Sequence, residues 1–303
     1  MKNSARTTKL SATTVCILIL FLFMSCHSAP QREMKKTLIY STATEMLESA
    51  NSCILSGEYE NARFFLAQAY NQAMTIDNYD LLTSICLGYI SLNLSYNPPL
   101  TQAANEYLEK AKIFAKYAED SQRQQALCTL GEVRIKTIDT SKEINYASLI
   151  ELLDNSEKYI KGDKYYEAQF FSAHGDIFRL KKDYDAAQKQ YEAAAKIYTD
   201  NRYLSEIGIT WYKIAQVRSL NNQKSSALAA LENAIFYDRA AENTLALGTD
   251  YYIKGIILLK GNPTEKEKAE AKYAFEHSAD IFTASGTNME ELIQRSLNAA
   301  EGL

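Results

Sequence analysis

The side chains that could perform chemistry are few and widely separated in this 303-residue chain. The three histidines are His27, His174 and His277, and none stands at metal-ligand spacing from another histidine, a cysteine or an acidic residue along the sequence. The phosphate-loop, dinucleotide-loop, H-E-x-x-H and G-x-S-x-G patterns do not occur. Because His174 directly precedes a glycine within a helical pattern, we expect it at a helix interface. The sequence therefore predicts no enzyme, no cofactor and no metal centre.

The cysteines allow two interpretations. Cys16 and Cys26 lie in the amino-terminal segment, whereas Cys53, Cys86 and Cys128 are widely spaced and each lies inside an apolar helical pattern. In an exported protein these three could form one disulfide and leave one thiol over. We favour three small buried hydrophobic residues, which is the commoner fate of a free cysteine.

The amino-terminal segment has the layout of a secretory signal. It carries Lys2, Arg6 and Lys9 without an acidic residue, and an apolar stretch follows from Val15 to Met24. A membrane-spanning helix needs roughly 20 apolar residues, so this stretch is too short to cross a bilayer.

The end of that stretch, "FMSCHSAPQRE", resembles the lipobox of bacterial lipoproteins. Ser25 is the small residue before Cys26, although Phe23 stands where leucine is usual. The resemblance implies cleavage before Cys26, a diacylglycerol attached to its sulfur as a thioether, and usually an acyl chain such as palmitate on its amine. These chains would bind the protein to a bilayer. It also implies the outer membrane, facing the periplasm, because His27 is not the aspartate that retains lipoproteins in the inner membrane. An ordinary signal peptide or an uncleaved anchor is the alternative.

Composition excludes one class of partner and indicates one class of fold. The formal charge of −4 becomes −7 when Lys2, Arg6 and Lys9 are removed, and no basic stripe is present, so we expect no nucleic-acid binding. Four prolines and eleven glycines are few for this length. This profile favours helices nearly throughout the chain.

A repeated pattern organises the helical part. In "FSAHGDIFRLKKDYDAAQKQYEAAAKIY", small residues at Gly175, Ala187 and Ala194 would let two antiparallel helices approach closely, and the aromatic rings of Phe178 and Tyr191 would fill the space around them. This series resembles the tetratricopeptide repeat, a helix–turn–helix unit.

Equivalent small residues recur at steps of 40 to 44 residues, longer than the usual repeat of about 34. They are Gly88, Gly131, Gly175, Ala215 and Gly255. We therefore predict an all-α solenoid of about six tetratricopeptide-like helical hairpins with a carboxy-terminal capping helix. The predicted organisation is a signal at 1–25, a lipidated tether at 26–41 and the repeat domain at 42–303.

The resemblance also implies a concave binding surface lined by the first helix of each hairpin. Seven positions correspond to that lining: Glu132, Gln169, Asp176, Arg179, Tyr212, Gln216 and Tyr252. Tyrosine and arginine often anchor interfaces.

These observations lead to an expected function. We expect a lipid-anchored scaffold that holds envelope or periplasmic proteins on its concave face, with a homo-oligomer as a further possibility. The alternative is a ligand-handling accessory of a periplasmic solute transporter, of the kind associated with the TRAP family.

Overall fold

The structure is a computed structural model, and it describes residues 37–139, 141, 143–286 and 289–303. The predicted signal and Cys26 lie outside the described residues. Thirteen α-helices and no strands are present in this part of the chain, in the order α1 (Leu38–Ser56), α2 (Tyr59–Thr75), α3 (Tyr79–Ser95), α4 (Thr101–Ala115), α5 (Ser121–Ile138), α6 (Tyr146–Glu157), α7 (Lys164–Leu180), α8 (Tyr184–Asp200), α9 (Leu204–Leu220), α10 (Lys224–Ala240), α11 (Thr244–Leu258), α12 (Glu265–Ala284) and α13 (Glu290–Glu301). Helix α1 begins inside the segment that we predicted as a tether.

Consecutive helices pair into six hairpins, from α1–α2 to α11–α12, and α13 covers the last one. The predicted all-α solenoid with a capping helix is therefore confirmed. The third hairpin is less regular than the others. Its second helix, α6, has 12 residues and buries only Leu149 and Leu153.

Small residues permit the close approach of the two helices of a hairpin. A Cβ atom added at Gly175 would lie 2.4 Å from the ring of Tyr191 on α8, and one added at Gly255 would lie 2.5 Å from the ring of Phe275 on α12. Both rings are fully buried. The glycine spacing therefore reflects the aromatic packing that the sequence predicts.

Several turns between helices adopt a left-handed conformation without glycine. Positive φ angles occur at five non-glycine residues: Asp77, Lys182, Arg202, Asn222 and Glu242. In each turn the next N–H donates to a carbonyl of the preceding helix, as when Asn243 N–H donates to Asp238 O over 2.9 Å. This hydrogen bond closes the helix end in a Schellman-type arrangement.

The odd-numbered helices form the inner layer of the solenoid. Helix α1 contacts α3, α3 contacts α5, α5 contacts α7 and α9 contacts α11, whereas no two even-numbered helices among the described residues contact each other comparably. The hairpins are therefore closer together on the odd-helix side, and this side is concave.

The two ends of the solenoid meet. Helix α1 contacts α11, and Asn97 Nδ2 donates to Glu291 Oε1 over 3.0 Å. The Met289 methyl group also lies against the turn at Gly57, where an added Cβ would be 2.8 Å from its Cε. The row of hairpins therefore curves back until the first hairpin contacts the start of the capping helix.

Candidate functional site on the concave face

The seven predicted lining residues all lie on odd-numbered helices and are all partly exposed. Glu132 lies on α5, three lie on α7 (Gln169, Asp176 and Arg179), two lie on α9 (Tyr212 and Gln216), and Tyr252 lies on α11. The inner layer therefore contains every position that the sequence assigned to it.

Two of the predicted carboxylates have partners within the chain. Glu132 forms ion pairs with Lys136 Nζ at 2.6 Å and with Lys112 Nζ at 2.9 Å. Burial alone would raise the pKa of Glu132, but hydrogen bonds from the two lysines lower it below its ordinary value. This carboxylate therefore joins α4 to α5 as an anion whose charge is already neutralised.

Asp176 holds three helices together. Its Oδ1 accepts from the Tyr191 hydroxyl at 2.7 Å, and its Oδ2 accepts from Lys213 Nζ at 2.7 Å. The same ammonium also donates to Ser172 Oγ at 2.9 Å. Burial, and then the charge of Asp176, raises the pKa of Tyr191. Asp176 thus connects α7 to α8 and α9.

A cluster of arginine and tyrosine side chains lies on the same face. Burial raises the pKa of Tyr212, the charge of Asp250 raises it further, and the charges of Arg179 and Arg295 oppose both effects. The guanidinium of Arg295 lies over the Tyr252 ring, 4.1 Å from its centroid. We call Arg179, Tyr212, Tyr252 and Arg295 the arginine–tyrosine cluster.

Arg295 is the member of this cluster that sequence reasoning missed. It is an exposed residue of α13, the capping helix. Helix α13 follows α12 in the position that the first helix of a seventh hairpin would occupy. Its side chains therefore add to the lining of the concave face. The repeated small residues in the sequence end at the sixth hairpin, so they do not indicate that Arg295 lines the concave face.

Neither arginine of the cluster has an acidic partner within ion-pair distance among the described residues. Arg295 instead lies over the Tyr252 ring, and Arg179 interacts with the Tyr191 hydroxyl. Guanidinium groups bind carboxylates through paired hydrogen bonds. The cluster can therefore accept a carboxylate from outside the chain, with tyrosine rings beside it for apolar contact.

A buried pair of carboxyl groups lies beside this cluster. Asp238 on α10 and Asp250 on α11 are 0% and 1% exposed, and Asn243 Nδ2 donates to Asp238 Oδ1 over 3.3 Å. Burial raises the pKa of both groups, and each interacts with the other. Gly208 on α9 makes room for the pair, because an added Cβ would lie 2.4 Å from Asp238 Oδ1.

The physical consequence is a shared proton. The Oδ2 atom of each carboxyl lacks a conventional hydrogen-bond donor among the described residues. A neutral Asp250 that donates to Asp238 satisfies the pair at a lower cost than two buried charges. Sequence reasoning missed this pair, since nothing in the residues around Asp250 marks its burial.

The described cysteines are free thiols. Cys86 and Cys128 are buried, and desolvation raises the pKa of each thiol to about 12. Cys53 is half-buried, and burial raises the pKa of its thiol as well. The prediction of small buried hydrophobic residues is confirmed for Cys86 and Cys128, and the disulfide interpretation is wrong for the described cysteines.

The described histidines lie in different surroundings. His174 is buried beside Gly175 at the junction of α6 and α7, as expected for a helix-interface residue, and it also faces Asp154. His277 packs between Tyr251 and Tyr273, with ring centroids 4.5 and 5.6 Å away.

No helix among the described residues combines the length and the apolar composition that a bilayer span needs. The predicted lipidation at Cys26 falls on residues that the structure does not describe, so it remains a prediction.

Comparison with known proteins identifies the fold alone. No family model matches the sequence, and no curated protein matches it. A solved structure described as the apo form of RapI superposes with a TM-score of 0.52 at 15% sequence identity, over 86% of this chain and 97% of that chain. The similarity supports an all-helical solenoid as the architecture of this protein.

Proposed function

We propose that this protein is an interaction scaffold whose concave face binds a segment of a partner protein. The observation that carries the proposal is the arginine–tyrosine cluster. The Arg295 guanidinium lies over the Tyr252 ring, and the charges of Arg179 and Arg295 both act on Tyr212 of the inner layer. Neither arginine forms an ion pair with an acidic residue in the described part of the chain. Aromatic and arginine side chains contribute much of the binding energy at protein interfaces.

The chemistry of the cluster defines the partner segment. Each guanidinium offers several N–H donors in a plane that matches a carboxylate. The tyrosine rings offer apolar surface together with a hydroxyl. We therefore propose an extended or helical segment that carries acidic side chains next to an apolar one.

We further propose that the scaffold is a tetratricopeptide-repeat lipoprotein anchored through Cys26 in the bacterial envelope, facing the periplasm. The support is the sequence around residues 16–26, with its apolar stretch and the serine before Cys26. The repeat spacing supports the family, because each glycine that marks a step lies against a large side chain. Gly175 and Gly255 lie against an aromatic ring of their own hairpin, and Gly88 and Gly131 lie against leucine side chains of the preceding hairpin.

A site-specific crosslinking experiment tests this function. A photoreactive residue at Gln216, which lies on the concave face, is compared with one at Lys189, which is exposed on the even-numbered helix α8. Envelope proteins crosslinked from position 216 and not from position 189 are the expected result. Equal capture at both positions, or capture at neither, would contradict the concave-face proposal.

The anchor is tested in the same membranes. A Cys26→Ala variant is expected to leave the membrane fraction, whereas the unchanged chain stays in it. Full retention of the variant would refute the lipid anchor and leave the binding proposal intact. A shift of the melting temperature by small organic acids, without any protein crosslink, would favour the transporter-accessory alternative.

A further inference from the structure

We propose that Asp154, Glu157 and His174 form a binding site for a divalent transition-metal ion, with Zn²⁺ as the representative ligand. One ligand atom from each side chain lies within 4.8 Å of the other two. The His174 Nε2 atom is 3.4 Å from Asp154 Oδ1. This site is separate from the concave face and does not depend on the proposed function.

The two helices position the three groups for coordination. Asp154 and Glu157 are three residues apart at the end of α6, so they lie on one face of that helix. His174 projects from α7, which packs against α6. The ligands thus come from two adjacent hairpins.

The buried imidazole is the second observation that points to a ligand. His174 is 8% exposed, and its Nε2 atom lies close to Asp154, with the Glu157 carboxylate nearby. An imidazole nitrogen that faces two carboxylate groups provides the mixed donor set of a metal site, which surface acids alone do not provide.

The charges at this position favour a bound cation. No lysine or arginine among the described residues forms an ion pair with Asp154 or Glu157. Both carboxylates lie in the last turns of α6, where the helix dipole is negative. Two uncompensated anions destabilise that helix end, and a divalent cation would remove the repulsion.

The donor set selects the kind of metal. Imidazole suits Zn²⁺, Fe²⁺, Ni²⁺ and Cu²⁺, whereas Ca²⁺ and Mg²⁺ prefer oxygen ligands alone. Zn–N and Zn–O bonds are about 2.0–2.2 Å, so modest rotation of the exposed Glu157 would bring the three atoms to coordination distance. Asp154 is 62% exposed at its side chain, which leaves room for water as a fourth ligand.

A metal here would join the third hairpin to the fourth. Helix α6 buries only Leu149 and Leu153, so apolar packing holds it less than the other helices of the hairpins. A coordination bond from each hairpin would fix this junction, and the expected role is structural.

The test is a zinc titration of the full chain, prepared without a histidine tag in detergent and stripped with a chelator. Zinc chloride is added in competition with a chromophoric chelator. We expect one Zn²⁺ per chain and a melting temperature that rises by several degrees at saturation. Asp154→Asn and His174→Ala are each expected to weaken binding by about tenfold or more. His277→Ala removes an imidazole outside this site and is expected to leave the zinc affinity and stoichiometry unchanged.

Three results would overturn the site. The first is the absence of zinc binding at about 100 µM free zinc, which means a dissociation constant weaker than about 100 µM. The second is zinc binding that Asp154→Asn and Glu157→Gln leave unchanged. The third is calcium binding with the same affinity as zinc and without dependence on His174. Because Asp154 is exposed, the Asp154→Asn variant tests the proposal even if His174→Ala does not fold.

Discussion

Replacement of Asp250 by asparagine is expected to stabilise the protein near neutral pH and to reduce the pH dependence of its unfolding. Asp250 is 1% exposed, and burial is the largest cause of its raised pKa. The folded protein therefore keeps a proton that the unfolded chain releases. An asparagine side chain has a similar shape and stays neutral in both states.

The direction and the size of the change in unfolding free energy with pH follow from proton linkage. For a carboxyl group whose folded pKa is raised, the stabilising contribution is complete below the ordinary aspartate pKa of about 4 and is lost as the pH rises towards the folded pKa. The loss is about 1.4 kcal/mol per pH unit for one retained proton. Between pH 5 and pH 7 the free energy of unfolding therefore falls by about 3 kcal/mol through this group, and the variant lacks that fall.

Urea unfolding followed by circular dichroism at pH 5, 6 and 7 measures the difference. The matched control is Asp200→Asn, which changes an exposed aspartate on α8 and is expected to leave the slope unchanged. The same dependence of the unfolding free energy on pH in Asp250→Asn and the unchanged chain would refute the shared-proton interpretation.

Two further changes probe the packing and the turns. Gly175→Ala places a Cβ atom 2.4 Å from the Tyr191 ring and is expected to lower the free energy of unfolding by about 1–3 kcal/mol. The control is Gly302→Ala, whose added Cβ would be 3.6 Å from the nearest atom and is expected to leave the stability unchanged. Urea titration measures both variants, and equal stabilities would contradict the packing argument. Glu242→Gly removes a side chain from a left-handed residue with a φ of 55° and is expected to raise the free energy of unfolding by about 0.5–1 kcal/mol. A melting temperature below that of the unchanged chain would contradict this expectation.

The hairpins could be predicted because their packing requirement appears in the sequence. A close approach of two helices needs a small residue at a fixed place. Gly175 and Gly255 each lie against an aromatic ring of their own hairpin, and Gly88 lies against Leu66 of the preceding hairpin. Residues at a fixed distance along the chain from these small residues, such as Tyr212 and Tyr252, therefore lie on the inner layer, as the sequence predicts.

Features that depend on distant hairpins could not be predicted. The contact between α1 and α11 depends on rotation accumulated over all the hairpins between them, and no local pattern encodes it. Asp154 and His174 meet because α6 packs on α7, although 20 residues separate them in the chain. Arg295 reaches the inner layer because the capping helix continues the stack.

The central claim is that the concave face binds a partner through the arginine–tyrosine cluster. The most direct measurement is the equilibrium affinity of the partner crosslinked at position 216 for the unchanged chain, for an Arg179→Ala and Arg295→Ala double variant, and for Lys189→Ala. We predict that the double variant loses at least about tenfold in affinity, or 1.4 kcal/mol, and that Lys189→Ala loses none. Unchanged affinity in the double variant would contradict the account.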